Sequence, residues 1–173
     1  MISLRHLEID GSNKITEMPA RISKLSDLQT LTLFIVSKEN GIDELRGLNL
    51  RGSINIQNLQ NVLNPSDVDK VGLRKRHKLS SLGLSWKDSR DSTSAENENC
   101  ERVIESLQPH LNLQSLSIKN YMGSRFPHWL MHLEVPNLVE VSLSRCERCK
   151  ILPPFSRLHH LKYLTIQDMP DLE

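Results

Sequence analysis

The chain has 173 residues, 38% hydrophobic and 25% charged, with a formal net charge of +1. That length suits one domain with a sizeable core, and the near-neutral balance gives no push toward nucleic acid or an anionic membrane. No run approaches the roughly 18 apolar residues of a membrane-spanning helix, no apolar leader opens the chain, and three cysteines, an odd number, argue against a disulfide framework and for a reducing cytosolic or nuclear setting.

Residues 4–9 (LRHLEI) read L-x-x-L-x-L. The phrase returns at 28–33, 79–84, 113–118, 138–143 and 161–166, and in weakened form at 51–56 (RGSINI). Successive starts lie 24, 23, 28, 34, 25 and 23 residues apart. A phrase of this kind recurring every 20–29 residues or so is the leucine-rich-repeat signature. In a strand, alternate side chains face opposite ways. The aliphatic residues at the fourth and sixth places therefore point into a core, and stacked copies make a parallel sheet over one continuous interior.

In chain order, the first strand is followed by a turn at Gly11-Ser12-Asn13. A short helix or 3₁₀ turn in PARISKL comes next, with Pro19 at its start, where a missing N–H does no harm. In the second repeat Phe34-Ile35-Val36 lengthens the strand, and Ile42 and Leu45 are spaced for a short helix ending near Gly47. In the third, Pro65-Ser66-Asp67 opens a helix carrying Val68, Val71 and Leu73, which accounts for the 28-residue step. The fourth holds the polar run KDSRDSTSAENENCE, read as a flexible insertion loop over 87–99. A helix then resumes with Val103, Ile104 and Leu107, and loop plus helix explain the 34-residue step. The fifth passes through Tyr121 and FPHWL, the sixth through Cys146, Cys149 and LPPF, and the seventh shows its strand alone.

Three places after each sixth position stand Ser12, Val36, Leu59, Lys87, Tyr121, Cys146 and Met169. Asn never occupies it, so apolar packing and backbone bonds must hold the turns. The expected architecture is an α/β leucine-rich-repeat solenoid. It has a curved parallel sheet of about seven irregular repeats, with short helices or irregular coil on the convex side. The whole chain, 1–173, forms one domain, a partial array truncated at both ends.

Candidate recognition residues are those that alternation leaves on the concave face: His6, Glu8 and Asp10; Thr30, Thr32 and Phe34; Ser53, Asn55 and Gln57; Ser81, Gly83 and Ser85; Ser115, Ser117 and Lys119; Glu140, Ser142 and Ser144; Tyr163, Thr165 and Gln167. Phe34 and Tyr163 are the only aromatics, so few interface anchors are on offer. Cys146-x-x-Cys149 lacks the further ligands zinc requires and reads as structural. Cys100, inside the polar run, reads as an exposed thiol. Arg74-Lys75-Arg76-His77-Lys78 reads as a solvated basic helix end, or as a contact for phosphate-bearing partners or for an acidic face of another domain. Trp86 and Trp129 read as packing residues, and His159-His160 shows no metal spacing. No catalytic, metal-binding or cofactor-binding constellation is present, so no enzyme activity, no cofactor and no small-molecule substrate are expected.

The succession MPARISKLSDLQTLTLFIVSKENGIDELRGLNLRGSINIQNLQNV, LSSLGLSW, LQPHLNLQSLSIKNYMGSRFPHWL and LVEVSLSRCERCKILPPFSRLHHLKYLTI resembles the leucine-rich-repeat region of plant coiled-coil-type nucleotide-binding disease-resistance proteins. The likeness spans nearly the whole chain. It implies an intracellular immune-receptor module whose partners are proteins: a pathogen effector or a host guardee, and the receptor's own nucleotide-binding domain, which such repeats hold inactive. The phosphate loop G-x-x-x-x-G-K-[ST] is absent, so the family's nucleotide switch has no counterpart in these residues. The alternatives are a non-signalling structural fragment of such a gene and a ubiquitin-ligase substrate adaptor. The adaptor would need a helical docking segment that this sequence lacks. An array that starts and stops within its pattern is also expected to be poorly soluble or self-associating.

Overall fold

The computed structural model describes residues 3–9, 15–88 and 93–173. Eight strands occur among them: β1 (His6–Leu7), β2 (Thr30–Leu31), β3 (Leu33–Ile35), β4 (Gly52–Gln57), β5 (Leu79–Ser85), β6 (Ser115–Lys119), β7 (Glu140–Ser144) and β8 (Tyr163–Gln167). Every pairing is parallel. β1 and β2 form a two-stranded piece, and β3 to β8 form a six-stranded sheet in sequence order. This is an open leucine-rich-repeat sheet, each strand paired with the equivalent strand of the next coil. The turn expected at residues 11–13 lies outside the described residues.

Each coil returns across the core through a short helix or a 3₁₀ turn. The 3₁₀ turns are Ile22–Lys24, Ile42–Leu45, Leu59–Asn61, Leu73–Lys75 and Phe155–Arg157. The helices are α1 (Pro65–Val71), α2 (Ser94–Ser106) and α3 (His128–Met131). In α1, Asn64 caps the N-terminus by accepting from the Ser66 amide, Pro65 sits at the first position, and Gly72 closes the helix with φ of 63°. Val68 and Val71 are buried on α1 as their spacing requires, whereas Leu73, expected on the same helix, lies beyond Gly72 in the next 3₁₀ turn and is buried there. Strand residues Ile54, Ile56, Leu82, Leu84, Leu116, Ile118, Val141 and Leu143 fill the same core from the sheet.

The coil corners rest on backbone bonds. Val36 N donates to Gln57 O, Trp86 N to Lys119 O, Asn120 N to Ser144 O and Arg145 N to Gln167 O, all between 2.9 and 3.1 Å. Val36, Leu59, Tyr121 and Cys146 pack beneath these corners, buried. The corners turn through left-handed residues one place earlier, Asn58, Asn120, Arg145 and Asp168, with φ of 52–59°. Asn tolerates this conformation better than most side chains, and Asn120 also donates its amide to Trp86 O at 3.0 Å.

Three expectations about the second strand and the polar run fail. Phe34 does not face outward. A bend at Thr32 separates β2 from β3, and beyond it the register pairs Phe34 with the core residue Ile56. Such a one-residue slip turns every following side chain to the other face, and residues 33–36 are all buried. The loop read over 87–99 is helical from Ser94 onward, while 89–92 lie outside the described residues. Thr93 Oγ1 accepts from the Glu96 amide, and the Glu96 carboxylate accepts from the Thr93 amide at 2.7 Å, a complete capping box. Cys100, expected to be exposed, is only 2% accessible. It lies on the apolar stripe of α2 with Val103, Ile104 and Leu107, at i, i+3, i+4 and i+7.

Candidate protein-recognition face

The register assembles the outward residues into three rungs. One runs Ser53, Ser81, Ser115, Glu140, Tyr163. The second runs Asn55, Gly83, Ser117, Ser142, Thr165. The third joins Ser85, Lys119, Ser144 and Gln167. Adjacent strands lie about 4.8 Å apart, so the rungs form a lattice of hydroxyl and amide groups. Gln57 sits at the far end of β4, opposite Ile35. His6, Glu8, Thr30 and Thr32 belong to the β1–β2 piece or its continuation. Asp10 lies outside the described residues.

Part of this polar surface is already engaged. Thr32 Oγ1 donates to Ile9 O and accepts from Ile9 N, so its hydroxyl ties two coils together. His6 Nδ1 and Thr30 Oγ1 are 3.0 Å apart on the exposed surface. Ser115 Oγ donates to Glu140 Oε2 at 3.2 Å, and Asn55 Nδ2 to Thr32 O at 3.4 Å. The middle rung is the low one. A Cβ on Gly83 would fall 1.9 Å from Asn55 Oδ1, so the amide of Asn55 lies across the glycine. With Ser117, Ser142 and Thr165 beside it, this rung is low, and a partner's backbone can come close. With Phe34 in the core, Tyr163 is the face's one exposed aromatic among these candidates, 65% accessible at the β8 edge. At the strand C-terminal edge Arg145 bridges two carboxylates, Asp88 at 2.7 Å and Asp168 at 3.6 Å.

The cysteines are packing groups. Cys149 Sγ donates to Gly123 O at 3.4 Å and Cys146 Sγ to Ile118 O at 3.9 Å. Burial pushes the Cys146 thiol up to about 12. It also pushes Cys100 up to about 11, with the Glu96 carboxylate adding to the effect. Such thiols stay protonated and unreactive at neutral pH. Trp129 is buried with its indole N–H donating to Ile104 O at 3.0 Å, and Trp86 packs against Tyr121, ring centres 5.1 Å apart.

The basic run divides. Arg76 is half-buried, its guanidinium donating to Leu45 O at 2.7 Å, to Val71 O at 2.9 Å and to Leu48 O. Arg74, Lys75, His77 and Lys78 remain exposed. Reading the run as wholly solvated misses this staple. The missed signal is its place: Arg76 follows directly on a helix and turn whose last carbonyls need donors.

A family model described as R13L1/DRL21 LRRs matches residues 42–169. The "Putative disease resistance protein RGA4" of Solanum bulbocastanum is 39% identical over 165 residues, 94% of this chain and 16% of that protein. Disease resistance protein RGA2 of the same species is 39% identical over 144 residues, 82% of this chain and 15% of that protein. The chain thus spans about a sixth of the length of these curated relatives. With its parallel ladder of leucine phrases, the chain belongs to the R13L1/DRL21 leucine-rich-repeat family, similar over most of its length to plant disease-resistance proteins.

Proposed function

We propose that the chain is a non-catalytic protein-recognition module of an intracellular plant immune receptor. In this reading the open face of the sheet senses a pathogen effector or a guarded host protein. The same array contacts a nucleotide-binding domain and restrains it. The observation that carries the reading is the low middle rung, Asn55, Gly83, Ser117, Ser142 and Thr165, presented by five paired strands. Rows of hydroxyls and amides match the donors and acceptors of a protein partner and carry no built chemistry of their own. Similarity to disease-resistance proteins supplies the immune context. Three free, buried thiols suit a reducing cytoplasmic or nuclear compartment.

The test is capture of separately produced effectors and of a nucleotide-binding domain from a relative, using the 173-residue chain as bait. Wild type is expected to retain a partner with Kd in the range of tens of micromolar or tighter. A variant carrying Ser117→Arg, Ser142→Arg and Thr165→Arg should bind at least about tenfold more weakly, since bulky charge at an interface centre removes close contact. Equal capture by the two chains would overturn the assignment of the face.

A further inference from the structure

We infer that a second surface, at the N-terminal edge of β5 to β8, is a docking groove for an extended acidic protein segment. The groove is about 550 Å³ and is lined by His77, Lys78, Asn112, Asn137, His160 and Lys162, over a floor that includes Leu79 and Val139. It is separate from the open sheet face and does not depend on the reading given to that face.

Two cations frame it. Lys78 and Lys162 are exposed, and among the described residues neither has an ion-pair partner. Among the described residues no carboxylate lines the groove. Glu140, on β7 beside Val139, accepts instead from Ser115 Oγ. Arg76, from the same basic run, is committed inward to Leu45, Leu48 and Val71 carbonyls.

The remaining groups select a peptide. Part of the edge backbone is already paired: Gly52 N donates to Lys78 O, Gln114 N to Ser80 O, Val139 N to Gln114 O and Lys162 N to Val139 O. Asn112 donates its amide to His77 O at 3.4 Å, and Asn137 donates to Leu111 O at 3.0 Å. Each therefore presents its side-chain oxygen as an acceptor. Acceptors interleaved with ammonium groups suit a chain that offers both carboxylates and N–H groups. An acidic peptide has both, whereas a phosphodiester backbone has no N–H to give.

The size fits. From β5 to β8 is three strand spacings, about 14 Å, which an extended peptide crosses in about five residues. The groove is also periodic in the sequence. Lys78, Asn112, Asn137 and His160 each stand immediately before the first leucine of a phrase, and Ser80, Gln114, Val139 and Lys162 each stand immediately after it.

The experiment is fluorescence anisotropy with a labelled peptide of alternating Glu and Gly, about eight residues long. Controls are the matching Lys and Gly peptide and a short single-stranded oligodeoxynucleotide. The chain is expected to bind the acidic peptide alone, more weakly as salt rises from about 0.02 to about 0.3 M. The double variant Lys78→Glu, Lys162→Glu should lose at least about tenfold in affinity. Both positions are exposed, so the variant should keep the wild-type melting temperature, and Ser117→Arg should bind the peptide as wild type does. No binding, binding unchanged in the double variant, or equal or tighter binding of the oligonucleotide would each overturn the inference.

Discussion

Arg76 joins three chain segments through one side chain. Its fork meets carbonyls from the 3₁₀ turn of the second coil, from the following loop, and from the end of α1. A buried carbonyl stripped of its donor costs about 1–3 kcal/mol, and Leu45 O keeps a weaker bond from Leu48 N. Arg76→Met is therefore expected to destabilise the chain by about 2–3 kcal/mol. Arg76→Lys should recover only part of that, because a single ammonium cannot reproduce the planar fork. Urea midpoints of the three proteins check this. The buried thiols make a second residue-scale prediction. In the unfolded chain a thiol ionises near its ordinary 9.0, whereas the folded chain holds Cys100 protonated to about 11 and Cys146 to about 12. Above pH 9.0 the unfolded state releases protons that the folded state keeps, so stability is flat with respect to these groups below that pH and falls above it. The expected slope is about 1.4 kcal/mol per pH unit for each thiol. Urea unfolding in the presence of reductant at about pH 8 and about pH 10 measures it, and Cys100→Ala should reduce the slope. A single repeat phrase placed Leu116 or Ile118 correctly because strand alternation is local. It could not place Phe34, whose direction depends on a bend one turn of the pleat earlier, nor the inward turn of Arg76, which depends on carbonyls 28 and 31 residues away.

At the scale of elements, α2 shows what a composition-based reading overlooks. The stretch from Thr93 to Cys100 is polar, and polarity suggested a loop. Its start is nonetheless written out as T-x-x-E, and Cys100 begins an apolar stripe completed by Val103, Ile104 and Leu107. Tertiary contacts then fix the polar side of the helix. Asn99 donates to Val62 O at 2.7 Å on the preceding coil. Glu101 accepts from Ser124 N and Oγ at 2.8 Å, and Glu105 from His128 N at 2.8 Å on the following coil. A carboxylate of α2 thus satisfies the first amide of α3. Thr93→Ala removes half of the capping box and is expected to cost about 1 kcal/mol. Glu105→Gln should cost less, since an amide oxygen still accepts from His128. Thermal melts distinguish the two. The other return elements, α1 and the turn at Ile42–Leu45, were legible because Pro, Gly and Asn mark their ends with local backbone chemistry.

In the molecule as a whole, burial changes along the array while the repeat phrase does not. Leu116, Val141 and Leu164 occupy one rung of the core side, paired in register from β6 through β7 to β8. Leu116 and Val141 are fully buried, whereas Leu164 is 44% and Ile166 36% accessible. The motif gives all of them the same role, so no reading of the motif could separate them. What differs is the coil stacked on the other side. Repeat arrays draw their stability from nearest-neighbour interfaces. Leu116→Ala opens a cavity with coils on both sides and is expected to cost about 2–5 kcal/mol. Leu164→Ala removes surface already half in water and should cost less than about 1 kcal/mol. Denaturant midpoints decide it, and equal shifts would mean that β8 is covered in solution. The same exposed leucine, with Ile166 and Tyr163 on the edge strand β8, makes a sheet end onto which another copy can pack. The sizing profile of the chain is therefore expected to shift to larger species as concentration rises. Leu164→Lys with Ile166→Lys should keep it monomeric, because two charges facing each other across that contact would have to be desolvated.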